Sequence, residues 1–199
     1  MNWQDFTALL ALATAMSFSP GPNTTLSAAL AANGGLPRAM RFVIAVPVGW
    51  SLLLLICAAG IGAAVDTVPS LRWAIKACGI AYLLWLAWKL SGSATLAQAD
   101  GTRMSVGFMQ GVLLQFLNIK AWLLALALVA GWIAGHADAW QRLAIVAPVM
   151  LVFAFASNFT YALAGALLRD WLARGRRLLW FNRAMAAVLV LTAAWMVGV

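Results

Sequence analysis

The sequence has little charge and almost none of the side chains on which most enzyme active sites depend. Only 9% of its 199 residues are charged, whereas soluble domains contain about 25%. Glutamate is absent, histidine occurs once, and the five acidic residues are aspartates at or near the ends of apolar segments. No cluster of histidine and carboxylate groups can be drawn from them. The sequence therefore predicts that the protein is not an enzyme and has no metal site and no cofactor.

Cysteine is also scarce, which bears on redox functions. Cys57 and Cys78 both fall inside apolar stretches, where a thiol behaves as a small apolar side chain. Dithiol exchange would need cysteines that are exposed to partners and lie where the helices break. A membrane oxidoreductase therefore stays only as an alternative function, beside another small-solute or ion transporter of related topology.

Apolar residues dominate what remains. Hydrophobic residues make up 65% of the chain, and apolar stretches of about 20 residues, long enough to cross a bilayer as helices, recur throughout. The sequence predicts an all-α membrane protein, with residues 1–199 as a single transmembrane transport domain of six helices. The first segment is expected to end in a turn at residues 33–37. The six segments run at about 6–31, 42–65, 71–90, 105–133, 143–168 and from 178 to the C-terminus.

The net charge of +8 does not indicate nucleic acid, because the basic residues form no stripe with interleaved aromatics. Most of them lie between the apolar segments, and mainly after the first, third and fifth. Cytoplasmic loops carry such an excess of Lys and Arg, so both termini are predicted to lie outside the cytoplasm. The richer group is Arg38, Arg41, Lys89, Arg103, Arg169, Arg174, Arg176, Arg177 and Arg183, and the poorer group is Arg72, Lys76 and Arg142.

Two of the segments contain residues that would interrupt a helix. The first carries "SPGPN" (19–23) and the fourth carries "QFLNIKA" (115–121). Proline removes a backbone donor, and non-helical backbone at membrane depth is tolerated only where it is buried in protein or lines a polar cavity. We therefore predict that both stretches line one substrate site near mid-membrane. The candidate substrate-binding residues are Ser19, Pro20, Gly21, Pro22, Asn23, Gln115, Asn118 and Lys120.

The two halves of the chain resemble each other weakly. "AVPVG" (45–49) in the second segment matches "VAPVM" (146–150) in the fifth, and the two interrupted stretches occupy corresponding places. Three spans in each half would make the second half inverted relative to the first. Inverted repeats with interrupted helices in matching positions are typical of secondary transporters. The predicted repeats cover about residues 1–95 and 104–199.

Lys120 is the only basic residue that this division places deep within a span. A lone ammonium at such depth is costly and tends to mark a pathway or a paired site. No acidic residue lies at that depth in the sequence, so the expected partner is the carboxylate of a substrate. Carbonyls freed around Pro20 and Pro22 are expected to receive the substrate's ammonium. Ser157 and Asn158 are attributed to hydrogen bonding between helices.

At these motifs the sequence resembles the LysE/RhtB family of amino-acid exporters. The resemblance rests on the Pro-Gly-Pro-Asn element at 20–23, on the stretch 35–49, on "KACGIAYLLWLAWKL" (76–90) and on "GVLLQFLNIKAWL" (111–123). The last of these is similar to the family's Asn-Pro-Lys-Ala element, although Ile119 replaces the proline.

The resemblance implies a multi-pass protein of the bacterial inner membrane that exports amino acids under the proton-motive force. With the residues above, the expected substrate is a neutral amino acid or a similar small zwitterion. The expected partners are that substrate and membrane lipid, without nucleic acid, and a homodimer is left open.

Overall fold

The computed structural model describes residues 1–60, 62, 67–92 and 106–198, and within these ranges the chain is helical, without strands. A short π-helix, Val129–Ile133, follows the sixth α-helix. The α-helices are α1 (Trp3–Phe18), α2 (Pro22–Gly34), α3 (Leu36–Ala58), α4 (Pro69–Ser91), α5 (Phe108–Leu117), α6 (Ile119–Leu128), α7 (Ala139–Leu172) and α8 (Arg177–Gly198).

Four of these helices, α3, α4, α7 and α8, are each long and apolar enough to cross a membrane. A fifth candidate span joins α5 to α6 and the π-helix, with a bend of 69° between the two parts. The first predicted segment is divided into α1, with 16 residues, and α2, with 13. Each is shorter than the roughly 20 residues that a perpendicular span needs. The described residues thus contain four to five candidate spans.

The first interruption lies where the prolines predict it. The backbone is extended at Ser19 (φ −69°, ψ 139°) and at Gly21 (φ −174°, ψ −178°), and α2 begins at Pro22. Proline suits the first turn of a helix because its missing N–H would have no partner there. The Gly21 N–H donates to Thr24 Oγ1 at 3.1 Å. The carbonyl of Phe18, left at the end of α1, accepts a hydrogen bond from a tyrosine hydroxyl of α7 at 3.0 Å.

The second interruption is also present, although no proline produces it. Asn118 is extended (φ −95°, ψ 100°) and separates α5 from α6, which begins at Ile119. The indole N–H of Trp122 donates to the carbonyl of Phe116 at 2.9 Å. That bond satisfies one of the carbonyls that a continuous helix would have used, so a side chain stabilises this bend.

Several boundaries differ from the sequence prediction. The expected turn at 33–37 is reduced to Gly35, which has a φ of 81°, a left-handed value that suits glycine. Pro37 lies instead in the first turn of α3. Helix α7 has 34 residues and extends beyond the predicted 143–168 at both ends. Asp66, Asp100 and Arg103 lie outside the described residues.

The helices pack around two main groups of buried apolar side chains. One group joins α2, α3, α4 and α8, and the other joins α1, α3, α6 and α7. Two glycines allow close crossings. A Cβ at Gly49 of α3 would lie 2.6 Å from the Val112 carbonyl oxygen of α5, and one at Gly165 of α7 would overlap the Ala28 carbonyl of α2. Helix α3 therefore packs closely against α5, and helix α7 packs closely against α2, which both belong to interrupted segments.

Contacts between helix ends fall into two sets at opposite ends of the helices. At one end, the N-terminal ammonium lies 3.7 Å from Asp138, and Arg142 lies 3.7 Å from Asp5 and 2.8 Å from Asp138. At the other end, Asn33 of α2 and Asn182 of α8 exchange two hydrogen bonds, of 2.8 and 3.0 Å. The start of α1 thus adjoins the start of α7, and the end of α2 adjoins the start of α8.

Candidate functional site

A cavity of about 60 Å³ lies where the two interruptions meet. The end of α1, the break at 19–21 and the start of α2 form one side, and the start of α6 forms another. Residues of α3 and α7 complete the wall. These two helices carry the matched motifs around Pro47 and Pro148. The two interrupted segments and the two helices with matched motifs therefore all surround the same cavity.

Lys120 joins the two interruptions directly. Its ammonium donates to the Ser19 hydroxyl oxygen at 2.6 Å and to the Ser19 carbonyl oxygen at 3.3 Å. The Ser19 hydroxyl in turn donates to the Met16 carbonyl at 3.0 Å, so its oxygen is free to accept from the lysine. A Cβ added to Gly21 would lie 3.5 Å from the Lys120 nitrogen. Glycine therefore leaves the space beside the ammonium open.

No carboxylate neutralises Lys120 within the described part of the chain. All three ion pairs found there lie at the end of the helices that holds the N-terminus, and they involve Asp5, Asp138 and Arg142. Lys120 is partly buried and has only a hydroxyl and a carbonyl oxygen as partners. The cavity thus carries a cation without a fixed counter-charge.

A second bridge connects the interruptions through two amide side chains. Asn23 and Gln115 exchange hydrogen bonds of 2.8 and 3.2 Å. Gln115 also donates to the Gly111 carbonyl at 3.0 Å, and its side chain is fully buried. Asn23 lines the cavity, whereas Gln115 lies behind it. Gln115 therefore orients Asn23 and does not itself face the cavity.

Asn118 is the residue that separates α5 from α6, and it also lines the cavity. Only 4% of it is exposed. Its side-chain oxygen has no hydrogen-bond partner within the described residues. Buried polar atoms are nearly always paired in native proteins, so this oxygen is an unused acceptor.

The structure brings six of the eight predicted site residues to the cavity wall. Pro20 is exposed and is absent from the wall, and Gln115 occupies the layer behind it. Pro20 ends the helix because it removes a donor, which requires nothing of its side chain. The six are Ser19, Gly21, Pro22, Asn23, Asn118 and Lys120.

The eight predicted site residues omit the apolar wall and four polar residues that also line the cavity, Ser17, Thr24, Ser157 and Asn158. Trp50 of α3 and Met150 of α7 line the cavity, as do Ser157 and Asn158. The position of the first two within three residues of the matched prolines could have identified them. The side chain of Asn158 accepts a bond from Ser27 at 2.9 Å, so the expected bonding between helices is present in addition.

Lys76, which the sequence analysis counts among the loop residues, is a buried lysine of α4. It lies inside α4, is only 7% exposed, and donates to the Val197 carbonyl at 2.8 Å. Its ammonium also stands 4.7 Å from the ring centre of Trp73. The end of α8 packs beside it and supplies the acceptor, and Lys76 takes no part in the cavity.

The two cysteines lie apart from the site. Cys57 is buried and Cys78 is exposed, both are free, and neither lines the cavity. The geometry therefore gives the redox alternative no support.

Comparison with known proteins agrees with these features. A family model described as LysE type translocator matches residues 14–197. A cysteine/O-acetylserine efflux protein of Klebsiella pneumoniae is 30% identical over 184 residues, which is 92% of both chains. A protein of the same description from Escherichia coli K12 is 31% identical over 186 residues, covering 90% of this chain and 89% of its own.

A third relative, the cysteine/O-acetylserine efflux protein of Salmonella typhimurium, is 30% identical over 176 residues, covering 87% of this chain and 88% of its own. No solved structure matches the chain. The relatives are efflux proteins and not enzymes, and the apolar helices suit a multi-pass membrane protein. With a family match that covers most of its length, the chain belongs to the LysE type translocators, a family of efflux transporters.

Proposed function

We propose that this protein is a secondary transporter that exports small neutral amino acids or similar zwitterions from the cytoplasm, driven by the proton-motive force. The observation that carries the proposal is the ammonium of Lys120, held between two helix interruptions at a cavity. Within the described residues it has no ion-pair partner. Ionisable residues inside membrane proteins mark substrate and ion pathways, and a fixed cation fits the carboxylate of an amino acid.

The charge of the site supports a neutral substrate over a basic one. A zwitterion brings one carboxylate to Lys120 and one ammonium to neutral acceptors. A substrate with a second positive charge would meet no fixed anion among the described cavity residues. In a site of low dielectric constant an uncompensated charge is expensive. Dicationic amino acids should therefore be exported poorly.

The relatives supply the first compounds to test. Their names specify efflux of cysteine and O-acetylserine, which are both small neutral amino acids. The identity of 30–31% over most of each chain supports a substrate of the same chemical class here.

We further propose six spans, arranged as inverted repeats at about 1–95 and 104–199, within a single domain in the bacterial inner membrane. The contacts of the helix ends support this arrangement, since the N-terminus adjoins the start of α7, and the end of α2 adjoins the start of α8. The distribution of Lys and Arg supports periplasmic termini.

Whether the protein forms a homodimer is tested by measuring the molecular mass of the purified protein by light scattering.

Proton coupling in this proposal does not use a carboxylate deep in a span. Asp5 and Asp138 lie beside the N-terminus of the chain, and Asp170 lies in the last turn of α7. Asp66 and Asp100 fall outside the described residues, and the sequence places them between apolar segments.

The function is tested in vesicles that contain the purified protein. Vesicles are loaded with labelled cysteine under reducing conditions, and efflux is followed with and without an imposed pH gradient. We expect efflux that depends on the protein, rises with the gradient and falls when an uncoupler is added, with labelled lysine as the poorly exported comparison. Equal leakage of both compounds from protein-containing and protein-free vesicles would contradict the proposal.

A further inference from the structure

The turn between α7 and α8 carries a concentration of positive charge that the cavity does not use. From position 169 to position 183 the chain has a single acidic residue, Asp170, and five arginines. The ion pairs of the described residues all lie at the other end of α7, so this excess of positive charge is not neutralised there. The five are Arg169, Arg174, Arg176, Arg177 and Arg183.

Trp171, in the last turn of α7, brings two of these arginines together. The guanidinium of Arg177 stacks over the Trp171 ring, 4.5 Å from its centre, and donates to the Trp171 carbonyl oxygen at 3.4 Å. The backbone N–H of Arg174 donates to the same oxygen, also at 3.4 Å. Gly175, which has a φ of 62°, lets the chain turn between them. Both arginines are exposed, so their guanidinium groups are accessible to a ligand from outside the chain.

An exposed apolar stripe on α7, formed by Leu163, Leu167 and Trp171, leads to these arginines. The three residues are spaced four apart along the sequence, which puts them on one face of the helix. Their exposed fractions are 37%, 76% and 53%, and the stripe extends over about 12 Å at 1.5 Å per residue. Tryptophan is enriched at the headgroup level of a membrane. The two leucines of the stripe therefore point toward the hydrocarbon, and the arginines lie at the depth of the lipid phosphates.

We propose that the turn between α7 and α8 binds an anionic phospholipid, whose phosphate is held by Arg174 and Arg177 and whose acyl chain lies along the apolar stripe. Arginine suits this role because its planar set of N–H donors can bond two phosphate oxygens at once. Clusters of Lys and Arg beside a transmembrane helix are typical of binding to anionic lipids. The excess of arginine over Asp170 favours a headgroup with a net negative charge over a zwitterionic one. This binding site is separate from the transport cavity and does not depend on the proposed substrate.

The proposal is tested with two lipids that share acyl chains and a phosphate but differ in net charge, dioleoylphosphatidylglycerol and dioleoylphosphatidylcholine. Native mass spectrometry of the purified, delipidated protein gives a dissociation constant for each. Wild-type protein should bind phosphatidylglycerol more tightly by roughly tenfold or more, since two basic residues contribute. Glycerol phosphate, which has the headgroup chemistry without acyl chains, should not displace the lipid at equal concentration. Displacement by glycerol phosphate would show a site for free anions and would overturn the lipid assignment.

The double variant Arg174→Gln/Arg177→Gln should weaken phosphatidylglycerol binding by roughly tenfold or more and leave the weaker phosphatidylcholine binding nearly unchanged. Arg38→Gln/Arg41→Gln is the matched control, because it removes the same charge from two exposed arginines at the start of α3, at the same end of the helices. The control should keep the wild-type affinity within about twofold. Equal losses in both double variants would show a diffuse attraction to the basic end of the molecule, and no loss in either would show no site; both results overturn the proposal.

A substitution in the apolar stripe tests the place of the acyl chain and carries the test if the arginine variants do not fold. Leu167→Asn should weaken the binding of both lipids by a similar factor, because their acyl chains are identical. Leu191→Asn is the control, since Leu191 is similarly exposed, at 68%, but belongs to α8. Melting temperatures in detergent confirm that each variant is folded. Unchanged lipid binding by Leu167→Asn, or an equal loss in Leu191→Asn, would overturn the proposed site.

Discussion

Lys120 is the residue whose charge the proposed transport needs most. Lys120→Met should lower cysteine export by roughly 10- to 100-fold, because it removes a charge-assisted bond to the substrate. Lys120→Arg should keep part of the export, since the charge remains while the shape of the donor group changes. Initial rates of efflux from vesicles, at equal amounts of folded protein, measure both.

Lys76 offers a matched control for this experiment. Like Lys120 it donates to a backbone carbonyl, but it is more deeply buried and lies in α4, away from the cavity. Lys76→Met should leave the export rate within about twofold of wild type, even if the melting temperature falls. Wild-type export by Lys120→Met would remove Lys120 from the site.

Gly21 keeps the space beside Lys120 open. Its φ of −174° is available to any residue, and a Cβ would make an ordinary contact, 3.5 Å from the lysine nitrogen. Gly21→Val should therefore fold normally but cover the face of the ammonium that the substrate needs. We expect an unchanged melting temperature with export reduced by about tenfold or more, and Gly21→Ala should lie between. Full export by the valine variant would show that substrate approaches from another side.

The places of the two breaks could be predicted from the sequence, whereas the matched prolines indicate only the neighbourhood of the apolar wall and not which side chains form it. Proline, glycine and asparagine in a membrane segment have few explanations other than an interrupted helix. Trp50 and Met150 belong to apolar helices, where a lipid-facing and a cavity-facing side chain look alike in the sequence. The sequence predicts Gln115 as a site residue because it adjoins the break, but its bonds to Asn23 and Gly111 hold it one layer behind the cavity wall.

Among the helices, α2 and α7 cross closely because Gly165 has no side chain. A methyl group there would overlap the Ala28 carbonyl oxygen, and a backbone atom cannot move away as a flexible side chain could. Gly165→Ala should destabilise the protein by about 1–3 kcal/mol, as overpacking does elsewhere. Gly131 in the π-helix has nothing within 4 Å of its added Cβ, so Gly131→Ala is the control. The melting temperatures of the two variants in detergent are compared with that of the wild type. Equal values for both variants would contradict the close crossing of α2 and α7.

The contact between the N-terminus and the start of α7 should depend on pH. Asp138 is partly exposed, and the hydrogen bond from Arg142 lowers the pKa of its carboxyl group. A depressed pKa contributes stability above the unfolded value of about 3.9, and this contribution is lost as the pH falls through the folded value. Acidification from pH 5 to pH 3 should therefore loosen the N-terminus in wild type more than in Asp138→Asn. Protease cleavage of the first residues measures this, and identical pH profiles would argue against the pairing.

The second interruption shows that a helix break can occur where the local sequence contains no helix-breaking residue. Its place was predicted from its position in the segment and from the family resemblance, since Ile119 does not break a helix by itself. The bend combines the extended backbone of Asn118 with the bond from Trp122 to Phe116, and no breaker residue at position 119 indicates either of them. The π-helix at 129–133 and the reduction of the first turn to Gly35 are two further features that the sequence analysis does not predict.

For the whole molecule, the membrane orientation is the main untested expectation. The described contacts place residues near the N-terminus beside Asp138 and Arg142, in a region poor in basic loops. Fusions of alkaline phosphatase to the C-terminus should be active, because that enzyme folds only in the oxidising periplasm, and fluorescent-protein fusions should be dark. The reverse pattern would invert the orientation.

The helical class and the family follow from composition and motifs, and both are confirmed. The number of spans does not follow as directly. Hydropathy counts apolar residues, but α1 and α2 are separate helices of 16 and 13 residues, so length alone identifies only four to five candidate spans in the described ranges. How two short helices share one crossing depends on how they pack.

The length of α7 makes bilayer thickness relevant to transport. Its 34 residues extend over about 51 Å at 1.5 Å per residue, whereas the hydrocarbon core measures about 30 Å. The helix must project into the headgroup layers, tilt, or do both. Thinner bilayers should tilt this helix further from the membrane normal. Because Met150 of α7 lines the cavity, we expect this tilt to move Met150 relative to Lys120.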